Sequence, residues 1–425
     1  MSAKQWPLPK RLDFIKQLKE SGTPIGQQQL EFQGELRFYP VYVVDLAFPC
    51  YRLGNGRTQA AQQEIIAREG LAEEFFSGDP DSEPALVKQH EILRSMVTSG
   101  TDAQISDILR KSRQTQPLIL DNEGYVVNGN RRLCAMRVLF EENTREFARF
   151  EHIQVVFLPP CTQNDIEELE AKLQWLPDGR SDYSWVDKAI VLRQRQQRGW
   201  TIEKLCSFYE MSRPAIQLAI GMLEDAEAYL EERGAHGEYS RVLDKTYAFE
   251  QLQRGRRKCG DDEPRKQFFT AVSYLMLDDP NSTGRRLYES IPEALDSLDD
   301  VAEQLKADFT GVVVQNGDIG NLDILGGETD SPYRDVCLLV RSPAHYEKAR
   351  EVVRDKLEEM RTKKKERLDA TYCLREARKA YASLQNVSTN LDVNCDRDGL
   401  PALMGNIDVV CAEIKGRLND GANQS

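Results

Sequence analysis

Strand-like runs are spread unevenly along this chain, and that unevenness limits what it can fold into more than any other feature. Three stretches before Pro160 read as β-structure, and for more than a hundred residues after Pro160 none does. LRFYPVYVVDLAF (36–48) is rich in Val, Tyr and Phe and reads as a buried strand. QPLILDNEGYVVNGN (116–130) reads as a hairpin, two short apolar runs joined by Asp-Asn-Glu-Gly turn chemistry. HIQVVFLP (152–159) is the last strand and ends at two prolines. The helical patterns 59–76, 90–100 and 102–114 fall between these runs, with a loop over SGDPDSEP (77–84).

Beyond Pro160 the patterns are helical. SDYSWVDKAIVLRQRQQRG opens on Ser181 or Asp182 as N-cap. TIEKLCSFYEMSRPAIQLAIGML (201–223) is helix, three-residue break, helix, with Pro214 at a first helical position. Residues 342–384 read as a long charged helix or a helical pair, and 310–340 as a turn-rich interruption with a small β element. The expected organisation is a basic, Gln-rich arm (1–35), an α/β domain (36–160), a helical domain with a helix-turn-helix (161–235) and a helix-rich C-terminal domain (236–425).

Composition narrows the function classes. The chain has 425 residues, with no run of 18 apolar ones, and MSAKQWPLPKRLDF lacks the apolar core of a signal peptide. Its nine cysteines stand singly, without a C-x-x-C pair, which points to a reducing cytoplasm rather than a disulfide framework. The four histidines (90, 152, 236, 345) share no metal-ligand spacing. With a net charge of −13, contact with a nucleic-acid backbone requires a local basic face.

The segment VVNGNRRLCAMRVL (126–139) places Arg131 and Arg132 at the mouth of a helix, where the helix dipole is already positive. Cations there call for an anion. Asn55-Gly56-Arg57 follows the first strand, Gln116 opens the hairpin, and Gly129-Asn130 precedes the two arginines. Glycines let backbone amides approach a phosphate, a helix N-terminus favours an anion, and arginines balance the charge. The competing reading is a salt bridge to a neighbouring carboxylate. Arg137 reads as solvated or partner-facing, and Cys134 as a small buried hydrophobe.

A V-strand, an Asn/Arg loop, a Gln-Pro hairpin and Gly-x-Arg-Arg-x-x-Ala opening a helix, in that order, resemble the ParB/sulfiredoxin superfamily. The resemblance covers about residues 36–230. It implies nucleotide binding at the Gly-x-Arg-Arg loop, with CTP in chromosome-segregation members and ATP in sulfiredoxin-like and kinase-like ones. It also implies a place among DNA-associated accessory NTPases of modification and phage-defence clusters. By position, Gly129, Arg131 and Arg132 would meet the phosphates, and Asn55 and Arg57 would lie on the facing loop. This chain has Asn130 where ParB has Glu, lacks the Glu-Asn-x-x-Arg motif near Ala171–Trp175, and separates the Asn/Arg loop from Gln116 by 57 residues (59–115), more than typical members do. ATP with Mg²⁺ is therefore expected in preference to a CTP-gated clamp. Glu168 or Glu170 would hold the metal, and Asp45 reads as a loop-capping residue.

The helix-break-helix carries six basic residues between Lys188 and Ile220 (Lys188, Arg193, Arg195, Arg198, Lys204, Arg213) against Glu203 and Glu210, a local surplus of four. Arg195, Arg198, Ser212, Arg213 and Gln217 are the expected DNA contacts. The second helix is mostly apolar, so phosphate contact is expected there rather than base readout. The function expected from sequence is a nucleotide-binding protein, an ATPase whose Arg131 and Arg132 stabilise transition-state charge, acting on or beside DNA in a modification or phage-defence pathway. The alternatives are a non-enzymatic DNA-binding or partitioning adaptor with nucleotide as conformational ligand, and a kinase or nuclease. The C-terminal helices, with Lys363–Lys365 at their basic crest, are expected to bind a protein partner or a second copy.

Overall fold

The computed structural model describes residues 6–98, 102–174, 183–279, 287–310, 332–391 and 399–422. The chain divides into two compact units, Met1–Val353 and Arg354–Ser425. The first opens with α1 (Leu8–Ser21), β1 (Gly26–Phe32), β2 (Glu35–Asp45) and β3 (Cys50–Tyr51). Next come α2 (Gln59–Glu69), α3 (Glu83–Thr98) and α4 (Ala103–Lys111), then β4 (Leu118–Leu120), β5 (Tyr125–Asn128), α5 (Asn130–Glu142) and β6 (His152–Phe157). The six strands form one mixed sheet in the order β1-β2-β6-β4-β5-β3.

Side-chain alternation gives the sheet two apolar faces. Tyr42, Val44, Leu118, Leu120, Val126 and Val155 join the larger core, with Ile15, Ile65, Leu93, Leu133 and Leu139 contributed by helices. Ile119 and Val127 point the other way and pack with Leu30, Phe32, Ile166 and Leu169.

Residues 6–35 differ from the expected arm. They form a helix and an edge strand, and Gln33 and Gly34 between β1 and β2 are both left-handed (φ 53° and 76°), as a two-residue hairpin turn requires. Arg11 of α1 is fully buried and donates to Asp81 (2.9 Å), the Tyr125 hydroxyl (2.9 Å) and Cys50 Sγ (2.7 Å). Prolines that resemble loop punctuation instead sit in the first turn of α1, where a missing N–H costs nothing.

The remaining elements of this unit are helical: α6 (Gln163–Gln174), α7 (Trp185–Gln197), α8 (Ile202–Tyr209), α9 (Arg213–Glu232), α10 (Thr246–Lys258), α11 (Glu263–Leu277), α12 (Ile291–Asp296), α13 (Leu298–Asp308) and α14 (Arg334–Arg341). Ser181 and Asp182 lie outside the described residues. The N-cap of α7 is Ser184, whose hydroxyl accepts from the Asp187 amide at 3.0 Å. Of the β element expected over 310–340, residues 311–331 lie outside the described residues, and Arg334–Arg341 is helix. Two long helices follow, α15 (Tyr346–Thr389) and α16 (Leu400–Ala422), and the second unit exposes apolar side chains of both, among them Tyr381, Leu403 and Ile414. Among the described residues no helix is long and apolar enough to cross a membrane.

Candidate functional site: an arginine-lined cavity at a helix N-terminus

Gly129 fixes the geometry at the start of α5. Its φ of +110° is left-handed, and a Cβ there would stand 2.5 Å from Leu118 Cδ2. The turn delivers α5 with no side-chain cap on its N-terminus, so the positive end of the dipole is left to whatever lies in front of it. Asn130 is buried and pins the neighbouring loop, donating to the Val126 carbonyl (3.0 Å) and accepting from the Arg52 amide (3.3 Å).

The two consecutive arginines have different surroundings. Arg131 pairs with Asp102, directly ahead of α4, and both side chains are mostly buried. Arg132 donates to two neutral oxygens, the Gln116 carbonyl (2.9 Å) and Asn128 Oδ1 (2.8 Å). Burial lowers its pKa to about 10, so it stays a cation at neutral pH while losing hydration. A partly desolvated cation with neutral partners at a helix N-terminus favours an anion.

Across from α5, Asn55 Oδ1 accepts from the Arg57 amide (3.2 Å), which shapes the loop. Arg57 is buried, with its guanidinium 5.2 Å from the centre of the Tyr183 ring. All seven residues expected to bind nucleotide (Asn55, Arg57, Gln116, Gly129, Asn130, Arg131 and Arg132) line one cavity of about 220 Å³. Arg113, Gln114 and Thr115 extend its polar side; Ile105, Ile108 and Leu109 of α4, with Met136, form an apolar wall. Among the described residues, four arginines line the cavity and no Asp or Glu does. Such a space suits a ligand that is anionic at one end and apolar or aromatic at the other.

Glu170, the residue expected to hold a metal, lies elsewhere. It is buried, pairs with Arg52 at 2.9 Å, and accepts from the Gly56 amide (3.3 Å) and the Tyr183 hydroxyl (3.1 Å). An Arg, an amide and a phenol already occupy its oxygens, so it serves to fasten the 52–57 loop to α6. Among the described residues no three His, Cys, Asp or Glu side chains come together as a metal site. Asp45 accepts from the Ala47 amide at 2.7 Å, a loop-capping contact. Cys134 is buried and its thiol is pushed up to about 12 by burial, which keeps it protonated. Arg137, expected at the solvated face, instead donates to the Leu46 and Pro49 carbonyls (3.2 and 2.7 Å) and lies over the Tyr51 ring.

The basic residues around α8 and α9 do not form one patch. Arg195 is 4% exposed and lies about 5 Å from the ring centres of Trp200, Phe208 and Tyr209, so it is closed to a DNA backbone. Arg198 pairs with Glu167 at 2.7 Å, Arg193 with Glu227 at 2.6 Å, and Arg213 with Glu203. Ser212 is the N-cap of α9, and Gln217 is exposed on its first turns. Only Arg198, Ser212, Arg213 and Gln217 of the five expected DNA contacts are reachable from solvent.

Sequence reasoning missed Arg52, Arg113, Tyr183, Asp102 and the α4 wall. Arg52 and Arg113 adjoin segments that had been singled out. Asp102 carried no local signal, because its partner is 29 residues away. No family model, characterised protein or solved structure matches the chain.

Proposed function

We propose that the chain binds a nucleotide in the cavity at the α5 N-terminus, with phosphates against Arg132, Arg131 and Arg57 and the base toward Ile105, Leu109 and Met136. The observation that carries this reading is that Arg132, half-buried with two neutral partners, stands at the uncapped N-terminus of α5 in a cavity that three further arginines line. The order of motifs that resembles the ParB/sulfiredoxin superfamily supports it from the sequence side, and so does an α/β sheet unit followed by helices. ATP with Mg²⁺ is the ligand favoured; the metal would reach the site on the phosphates, since no lining carboxylate offers it oxygen ligands.

Nucleotide as a conformational ligand of an adaptor is favoured over rapid hydrolysis, because among the described lining residues no carboxylate or imidazole stands ready to take a proton from an attacking water. An ATPase remains the second reading, with Arg131 and Arg132 supplying charge stabilisation alone. A DNA-associated role in a modification or phage-defence pathway rests on the resemblance and on the exposed Ser212, Arg213 and Gln217, and a protein partner or second copy would meet the C-terminal helices. Titration calorimetry with ATP, CTP, GTP and ADP in Mg²⁺, on the wild type and Arg132→Ala, followed by phosphate release, tests the proposal. ATP binding that is lost in Arg132→Ala supports it; no binding by any nucleotide rejects it.

A further inference from the structure

Asp102 precedes the first residue of α4, yet its side chain makes no capping bond to that helix. Its carboxylate is turned to Arg131 on α5, and the two side chains are 12% and 14% exposed. The helix it introduces is the one that supplies the apolar wall of the cavity. A carboxylate thus sits where the opening arginines of α5 call for an anion, but it does so on one arginine only.

We propose that Asp102 is an internal stand-in for the ligand: it holds Arg131 and the first turn of α4 until a polyphosphate takes that arginine, so that ligand binding and loosening of α4 are a single coupled event. This rests on the nucleotide-binding reading of the cavity and adds its regulation. Arg132, held only by a carbonyl and an amide oxygen, is the first to meet the ligand. A polyphosphate carries several charges against one on the carboxylate, and α5 offers it the backbone amides of its uncapped N-terminus as well. Arg131 then exchanges partners, and Asp102 is left to solvent.

The far end of α4 has its own anchors. Arg149 donates to the Leu109 and Arg110 carbonyls (2.8 and 2.7 Å), and Arg110 pairs with Glu142 at 2.6 Å. Nearer the start, the Ser106 hydroxyl donates to the Val97 carbonyl (2.7 Å), so loosening begins ahead of Ser106, with Ile105 moving before Leu109. By linkage, whatever stabilises the docked first turn weakens ligand binding by the same factor.

A different role for Asp102 would be to position Arg131 for the ligand, and the two roles predict opposite signs. The experiment uses the full chain, with inorganic tripolyphosphate and ATP–Mg²⁺ as probes, and compares the wild type with Asp102→Asn by calorimetry. Asp102→Asn is expected to bind about tenfold more tightly, a coupling of ordinary size. Equal or weaker binding by a folded Asp102→Asn overturns the stand-in role and makes Asp102 a positioning residue. No binding of either probe by either protein rejects the nucleotide reading itself, and this inference with it. A measurement on the wild type alone guards against a variant that fails to fold. Saturating tripolyphosphate should speed amide exchange in α4 while slowing it at the start of α5, and unchanged α4 exchange at saturation overturns the proposal.

Discussion

At the N-terminus of α5, four arginines surround one cavity, and among the described residues no carboxylate lines it. Around α7, α8 and α9, four arginines are each matched by a carboxylate: Arg193 by Glu227, Arg195 and Arg198 by Glu167, Arg213 by Glu203. Both regions are rich in Arg, but only in the first does one of them, Arg132, bond to neutral oxygens and not to a carboxylate. The local surplus of four counted between Lys188 and Ile220 falls to two because Glu167 and Glu227 come from outside that window. An excess of cations matters only after the carboxylates folded against them are counted.

The largest expected effect tests the second region. Arg195→Ala should cost about 3 kcal/mol in chemical denaturation, since it empties a buried guanidinium site among three aromatic rings and strips a partner from buried Glu167. A folded Arg195→Ala of unchanged stability that loses DNA retention would restore Arg195 as a contact and break the comparison.

Next comes a pH effect at the helix that adjoins the cavity loop. Burial raises the Asp187 carboxyl to about 6, while its Oδ1 accepts from the Ala60 amide at 2.9 Å. A carboxyl raised on folding favours the protonated form, so its contribution to stability is present at low pH and is lost as pH rises through about 4 to 6. Relative to the wild type, Asp187→Asn should therefore gain about 2 kcal/mol across that window, measured as paired denaturation curves at pH 4 and pH 7.

Two effects of about 2 kcal/mol probe the cavity, one on stability and one on binding. Gly129→Ala should destabilise by about that amount, because a left-handed φ and a 2.5 Å approach to Leu118 oppose any Cβ. Arg132→Ala should weaken polyphosphate binding by about 2 kcal/mol, roughly thirtyfold, with melting almost unchanged. If Arg132→Ala binds as tightly as the wild type, the contrast between Arg132 and the carboxylate-matched arginines of the second region fails. The smallest effect is expected at the exposed Arg213–Glu203 pair: Arg213→Ala should shift stability by less than about 0.5 kcal/mol. If DNA binds there, the variant should also reduce the salt slope by about one.

Much of the site was legible because its parts are short-range. Gly129 ahead of two arginines, Asn55-Gly56-Arg57 after a strand and Gln116 at a hairpin each carry their own turn or charge signal, and they meet in one cavity. The helix-break-helix was legible in the same way, from the helical patterns over 201–223 and from Pro214, which falls in the first turn of α9. The first 35 residues were harder to read. Gln27, Gln28 and Gln29 hide an edge strand in which only Leu30 and Phe32 reach the core, and a buried Arg11 has no signature of its own.

The sequence by itself determined that the strands end near Pro160 and where α5 and the break between α8 and α9 fall, since these depend on neighbours within a few residues. Tertiary structure alone decided which arginine keeps a free field. Arg131 meets a carboxylate 29 residues away and Arg198 one 31 residues away, whereas Arg132 finds a carbonyl and an amide oxygen. Electrostatic compensation acts over a few ångströms of space, and a linear chain does not record which carboxylates will lie within that reach.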